Sequence, residues 1–204
     1  IGKTIDGIKS HGYNNILVVD NGSIDGTYLI AKNHGAEVAI ETRSGKGNAV
    51  KMGFSLIKTP YIVMMDSDFT YPARYIDDIV ELLEDYDVVM AERHIRLDNS
   101  MKLTNLFGNR LLSLLGSILY WYWSSDVCTG MWGFKKVVVD GFNIQSTNFT
   151  LEAELFIKSV SYRNKIARLP IAYRSSFGNR RSHLHTWHGF QIAWFLLRNR
   201  IAKT

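Results

Sequence analysis

Tyr61-Ile62-Val63-Met64-Met65-Asp66-Ser67-Asp68-Phe69-Thr70-Tyr71-Pro72 is the stretch on which the fold turns. Five apolar residues have the length of a buried strand, and they stop at two carboxylates one residue apart. Carboxylates at a strand end sit at the carboxyl edge of a sheet, where open α/β sheets bind ligands. Alternation puts residues i and i+2 on one side of an extended chain, so Asp66 and Asp68 can converge. Two hard oxygen ligands with room for phosphate oxygens suit Mg²⁺ or Mn²⁺ holding a diphosphate. The bland alternative is an Asp-Ser-Asp turn with solvated carboxylates.

Working toward the amino terminus, Ala49–Ile57 reads as a helix, preceded by a basic loop, Arg43-Ser44-Gly45-Lys46-Gly47-Asn48. Glu37–Ile40 and Ile16–Val19 are short strands. The latter ends in a polar, glycine-containing turn, Asp20-Asn21-Gly22-Ser23-Ile24-Asp25-Gly26-Thr27. Helices are expected over Thr4–His11 and Thr27–His34, each stopped by a glycine. Toward the carboxyl terminus, Tyr75–Leu83 is an amphipathic helix with Ile76, Ile79, Val80 and Leu83 on one face. A buried strand follows over Asp87–Ala91. Strands alternating with helices at this spacing predict a parallel sheet covered on both faces.

The second half has a different texture. Leu103–Trp123 reads as a helix, first leucine-rich and then aromatic. Ser124–Phe134 is a segment of small residues holding Asp126 and large aromatics. Leu151–Val160 is a helix with Glu152 and Glu154 near its start; two positions apart on a helix, at most one can face a site. Ile166–Tyr173 is a strand placed near a sheet edge by Pro170. A basic stretch to His188 contains Arg174, Arg180, Arg181 and three histidines whose spacing matches no standard metal motif. The helix Trp187–Ile201 is amphipathic, and either a membrane interface or core packing accounts for it.

The chain has 204 residues, a formal charge of +5, a pI near 9.3 and a single cysteine. That length allows one domain with a sizeable core. One cysteine excludes an internal disulfide and fits a reducing compartment. Modest basicity suits anionic partners. The longest apolar stretch, Leu111–Trp123, is shorter than the ~20 residues a bilayer span needs.

Taken in order, the turn Asp20–Thr27, the Gly45-Lys46-Gly47-Asn48-Ala49 segment and Asp66-Ser67-Asp68 resemble the family 2 glycosyltransferases of the GT-A fold. Asp126–Gly130, the Glu152/Glu154 helix and the arginine-rich stretch extend the likeness to the polyprenyl-phosphate hexose synthases. These include dolichyl-phosphate mannose and glucose synthases and archaeal N-glycosylation relatives. The resemblance implies an α/β, Rossmann-like, mostly parallel GT-A sheet flanked by helices, with residues 1–204 as one domain. Residues 187–204 would be its candidate membrane-interface helix. The family opens with an apolar strand ending in a Pro-x-x-Asn-Glu-like turn, and this chain starts just after it. A truncated chain lacking that first strand is therefore expected.

The implied activity is inverting transfer of a hexose from a UDP- or GDP-sugar to dolichyl or another polyprenyl phosphate. Asp20, Asn21, Asp25, Lys46 and Asp66 would bind the nucleotide sugar. Asp68, with Asp66, would hold Mg²⁺ or Mn²⁺. Asp126, Arg174 and Arg181 would serve the chemistry, the arginines as cations for phosphate. A phosphate monoester is already ionised at neutral pH, since its second pKa is about 6, so such an acceptor needs no strong base. The expected partners are the nucleotide sugar, the lipid phosphate and a membrane surface, with no nucleic acid. The expected location is the cytoplasmic face of the cell membrane. Two alternatives stay open: the same fold using a sugar hydroxyl acceptor with Asp126 as base, and a nucleotide-binding module without turnover. Two departures from the family pattern stand out. Trp132 occupies a position where arginine is common, and Thr70 one where some relatives carry glutamine.

Overall fold

The computed structural model describes residues 1–96, 103–173 and 186–202. Along the chain run α1 (Gly2–Ser10), β1 (Leu17–Asp20), α2 (Thr27–Asn33), β2 (Glu37–Ile40) and α3 (Lys46–Leu56). Next come β3 (Tyr61–Met65), α4 (Tyr75–Asp85), β4 (Val88–Arg96) and α5 (Leu103–Tyr120). The chain closes with β5 (Met131–Lys135), α6 (Lys136–Asp140), α7 (Leu151–Ser161), β6 (Ile166–Tyr173) and α8 (Thr186–Ile201).

Four strands form one sheet in the order β3-β5-β4-β6. β4 and β6 run parallel, and β6 lies at the edge with Pro170 opposite Glu92, as its proline requires. β5 runs antiparallel to both its neighbours. The sheet is thus mixed: β4 and β6 are parallel, and the Ser124–Phe134 segment supplies a central antiparallel strand that its sequence did not announce. β1 and β2 pair in parallel as a separate two-stranded sheet, with no hydrogen-bonded ladder joining it to β3 among the described residues.

Alternation decides which side chains face which layer. Ile62, Val88, Met90, Trp132 and Phe134 point to one face, where α7 and α8 contribute Leu151, Leu155, Phe156, Ile192 and Leu196. Val89, Ala91, Met131, Ala167 and Ile171 point to the other, under Ile76, Ile79 and Leu83 of α4. Burying each of these aliphatic side chains contributes about 1.5–3 kcal/mol. Helix α4 comes so close that a Cβ on Gly133 would lie 2.3 Å from Ile79 Cγ2. A small third cluster, Ile5, Ala31 and Ala36, joins α1 and α2 to the β1–β2 pair.

Two boundaries differ from the sequence reading in ways that matter for the site. α3 begins at Lys46, so Lys46-Gly47-Asn48 is the first turn of a helix and not a flexible loop. β4 continues past Ala91 to Arg96, with an irregular register between Arg93 and Ile95. Trp132 stacks on Phe134 in the core and donates from Nε1 to Thr129 O, so no phosphate contact arises at that position.

Candidate active site

The end of β3, the first turns of α3 and α7 and the segment before β5 converge. Lys46 Nζ lies 2.5 Å from Asp66 Oδ1 and 2.6 Å from Glu152 Oε1. Burial opposes the ammonium charge, but the Glu152 and Asp66 carboxylates outweigh it and hold Lys46 above its ordinary pKa. Gly130 closes the other side of Asp66: a Cβ there would lie 2.2 Å from Asp66 Oδ2. The Gly130 N–H donates to Tyr71 Oη at 2.6 Å, which pins the segment. Glu154 faces away and accepts from the Gln145 and Ser146 N–H groups. Of the two α7 acids, Glu152 belongs to the site and Glu154 to its scaffold.

The glycines beside Lys46 serve packing. A Cβ on Gly45 would lie 2.3 Å from Thr147 O, and one on Gly47 would lie 2.1 Å from Ser146 O. Their N–H groups are committed to Asn21 Oδ1 and Thr147 O respectively. Neither amide is therefore open toward a diphosphate, and Lys46 alone of this trio presents a group to the site.

Asp68 is exposed at the rim, and its Oδ1 accepts from Thr70 N and Oγ1 at 3.2 and 2.6 Å. Phe69 beside it holds φ +67°, a conformation sparsely used by residues other than glycine and characteristic of functional turns. Among the described residues no group of three or more His, Cys, Asp and Glu could hold a metal unaided. The donor chemistry still fits a divalent ion that takes its remaining ligands from a diphosphate and water. Asp68 is the accessible donor, whereas Asp66 is engaged by Lys46.

The remaining expected residues divide. Asn21 donates to Glu41 O and Arg43 O and accepts from Gly45, so its amide staples the 41–45 loop and is not offered to a nucleotide. Asp20 Oδ1 accepts from Ser23 N, and Asp25 Oδ1 accepts from Thr27 N and Oγ1, a turn and a helix-start arrangement. Asp126 is buried, and both its oxygens accept from the Arg93 guanidinium, at 2.6 and 2.7 Å. Asn109 Nδ2 adds a third side-chain bond at 2.9 Å. A carboxylate saturated in this way anchors an arginine and is poorly placed to act as a general base. Arg174, Arg180 and Arg181 lie outside the described residues.

Arg93 was not anticipated, because the charged run Glu92-Arg93-His94 reads as the end of a strand. Its guanidinium also donates to Cys128 O and lies 5.3 Å from the Tyr173 ring centre. Burial disfavours its charge, yet Asp126 keeps its pKa above the ordinary value. Beside it, burial pushes the Cys128 thiol up to about 12, so this cysteine stays protonated and unreactive at neutral pH.

A mixed α/β sheet with paired aspartates at one strand's carboxyl end, an acid-bound lysine and a glycine-lined wall defines a GT-A nucleotide-sugar transferase fold. The profile of glycosyl transferase family 2 matches residues 1–142, and the chain belongs to that family. It is 30% identical over 176 residues to the glycosyltransferase AglJ of Haloferax volcanii, covering 85% of this chain and 58% of AglJ. It is 32% identical over 163 residues to a dolichyl-phosphate hexose transferase of the same organism, covering 79% of this chain and 71% of that protein. The chain thus spans little more than half the length of AglJ. Among solved structures, a Mycobacterium tuberculosis glucosyl-3-phosphoglycerate synthase bound to Mn²⁺, UDP and glucosyl-3-phosphoglycerate superposes with a TM-score of 0.78. That match covers 98% of this chain and 74% of the synthase at 18% identity, a likeness of fold.

Proposed function

We propose that this chain is the catalytic domain of an inverting transferase that moves a hexose from a UDP- or GDP-sugar onto dolichyl or another polyprenyl phosphate. The observation that carries the reading is the Lys46–Asp66–Glu152 cluster beside Asp68, in a chain 32% identical over 163 residues to a dolichyl-phosphate hexose transferase. The Mn²⁺ and UDP of the synthase that shares the fold support a divalent ion, Mg²⁺ or Mn²⁺, and a nucleotide sugar here.

In this reading Lys46 is oriented by two carboxylates so that its ammonium faces the nucleotide diphosphate. Asp68, at the rim, would hold the ion together with diphosphate oxygens, and the bound ion would take up charge that builds on the leaving group. Glu152 reaches the same point from α7 and is placed to accept from a donor hydroxyl. The acceptor phosphate is already ionised, so positioning and charge stabilisation carry the reaction. The closed environment of Asp126 counts against the rival chemistry in which this residue deprotonates a sugar hydroxyl.

The test is a screen of UDP- and GDP-sugars against polyprenyl phosphate, with and without Mn²⁺, run beside Asp68→Asn. Transfer to the lipid phosphate that collapses in Asp68→Asn is expected. Transfer to a sugar hydroxyl only, or nucleotide binding with no transfer to any acceptor, would overturn the proposal.

A further inference from the structure

Glu92, Arg93 and His94 lie in the last turn-ward stretch of β4, and β3 and β4 both run antiparallel to β5. The carboxyl ends of β3 and β4 therefore share one edge of the sheet. That edge carries Asp66 and Asp68, and open α/β sheets bind their ligands there. The ladder between β4 and β6 pairs Arg93 with Ile171 and Ile95 with Ala172, and His94 is the residue it skips. An extra residue of this kind bends a strand and re-aims a side chain, and such bulges concentrate beside active sites. The His94 side chain is 48% exposed, whereas Glu92 is buried.

The neighbours of His94 fix where its proton sits. Its Nε2 lies 2.8 Å from Ser125 Oγ and 3.3 Å from Glu92 Oε2. The Ser125 hydroxyl donates its one proton to Glu92 Oε2 at 2.7 Å. Glu92 Oε1 meanwhile accepts from Ser124 Oγ and the Ser125 N–H, at 2.8 and 3.1 Å. A carboxylate ringed by donors is an acceptor, and a hydroxyl that has given away its proton can only accept as well. Both neighbours of Nε2 thus need a hydrogen from it, so Nε2 carries the N–H. The neutral ring keeps its lone pair on Nδ1, which has no partner among the described residues.

The charges around this ring are Glu92 and Arg93 of its own strand and Asp126, which follows Ser125 and pairs with Arg93. From the other elements come the neutral Asn109 of α5, on Asp126, and the Tyr173 ring of β6, against Arg93. A lone pair on a ring already tied to a buried carboxylate suits proton exchange with an acidic ligand, because the carboxylate stabilises the positive charge that results. A phosphate monoester fits, since it and an imidazole exchange protons in the same range, about pH 6 to 6.5.

We infer, resting on the lipid-phosphate reading above, that His94 binds the phosphate monoester of the acceptor and takes its remaining acidic proton. The proton leaves a phosphate oxygen for Nδ1. The phosphate becomes a dianion, the ring becomes an imidazolium, and the new Nδ1–H donates back to the phosphate; no other bond forms or breaks. The nucleophilic dianion is then held at pH values where much of the free acceptor is still protonated. Above about pH 8 an imidazole is neutral and the monoester already dianionic, so the advantage fades there.

The experiment reads the imidazole nitrogens of the whole chain in two-bond ¹H–¹⁵N spectra, with His94 assigned through His94→Gln. Without ligand, at about pH 7.5, His94 should show the Nε2–H tautomer, and Ser125→Ala should let the Nδ1–H tautomer appear. At about pH 7, geranyl phosphate should move Nδ1 toward the protonated type. It should act at concentrations about 10-fold below those of inorganic phosphate, and geraniol should do nothing. In transfer assays His94→Gln should raise the acceptor KM about 10-fold near pH 6.5 and leave the donor KM unchanged, with the difference shrinking toward pH 8. An Nδ1–H tautomer in the unliganded protein, an Nδ1 indifferent to geranyl phosphate, or an equal response to inorganic phosphate would overturn the inference. So would a ratio of acceptor KM values that stays constant with pH, the mark of a purely structural histidine. The spectra need neither nucleotide nor turnover. Transfer to a lipid phosphate with a silent His94 would therefore sink this inference alone, and a proton-exchanging His94 in a chain that transfers nothing to lipid phosphate would count against the proposed activity alone.

Discussion

Lys46 and Asp66 form a 2.5 Å ion pair that bridges the first turn of α3 and the end of β3. The same ammonium reaches Glu152 of α7, so one cation reconciles two carboxylates from different elements. Lys46→Met removes that cation. The pair is part-exposed, so after solvent screening the stability cost should be about 1 kcal/mol, read from thermal melts. Nucleotide diphosphate affinity should fall about 10-fold by calorimetry. Adding Glu152→Gln should restore part of the stability and none of the affinity; full recovery of binding would mean that Lys46 only neutralises its neighbours.

Gly130 keeps room for the Asp66 carboxylate, which would collide with any Cβ at that position. Gly130→Ala should cost about 1–3 kcal/mol, typical of overpacking, and should weaken nucleotide binding by displacing Asp66 from Lys46. An alanine variant with wild-type melting and wild-type calorimetry would contradict this account.

Arg93→Ala leaves the buried Asp126 without its bidentate partner. A loss of about 3–5 kcal/mol is expected, as for one half of a buried pair, with Arg93→Lys retaining only part of it. Asp126→Asn should lose stability too. Its pH–rate profile should keep the acid limb of the wild type, because the carboxylate is committed to Arg93 and Asn109. Disappearance of that limb would restore Asp126 as a base.

Glu41 offers a pH test. The hydrogen bond from the Arg43 side chain, with its backbone N–H, holds the Glu41 carboxyl at about 2, below its ordinary 4.5. A depressed carboxylate stabilises the folded state fully above its unfolded pKa and loses that contribution as pH falls toward the folded value. Melting temperature should therefore drop between pH 4.5 and about 2 more steeply in wild type than in Glu41→Gln. Parallel curves would show that the pair contributes nothing. The site should feel the change, since Asn21 binds the Glu41 and Arg43 carbonyls and orients Gly45.

Much of the architecture was legible because Tyr61–Met65 and Val88–Ala91 are apolar runs of strand length followed by polar turns. The convergence of Lys46 with Asp66 was readable from resemblance, and the separation of Glu152 from Glu154 from helix geometry. β5 escaped because Met131-Trp132-Gly133-Phe134 is buried on both sides. It therefore shows no alternation, and its glycine answers to α4, a distant contact. Lys46 looked like loop because its flanking glycines suggest flexibility. Their real constraint is the backbone at Ser146 and Thr147, about a hundred residues away, which no local pattern encodes. Asn21 and Arg93 were misjudged or missed for the same reason: their partners, Glu41, Arg43 and Asp126, are tertiary.

The antiparallel β5 also bears on how the protein comes into being. β3 and β4 are successive strands in the sequence, yet each pairs with β5 and not with the other. When β4 leaves the ribosome, the strand that must lie between it and β3 is still about 35 residues from synthesis. Until Met131–Lys135 has emerged, the nascent chain holds two apolar strands with open edges and nothing to register them. The four-stranded sheet can close only from the middle outward and late, so the first half of this polypeptide is the part most in need of protection while it is being made.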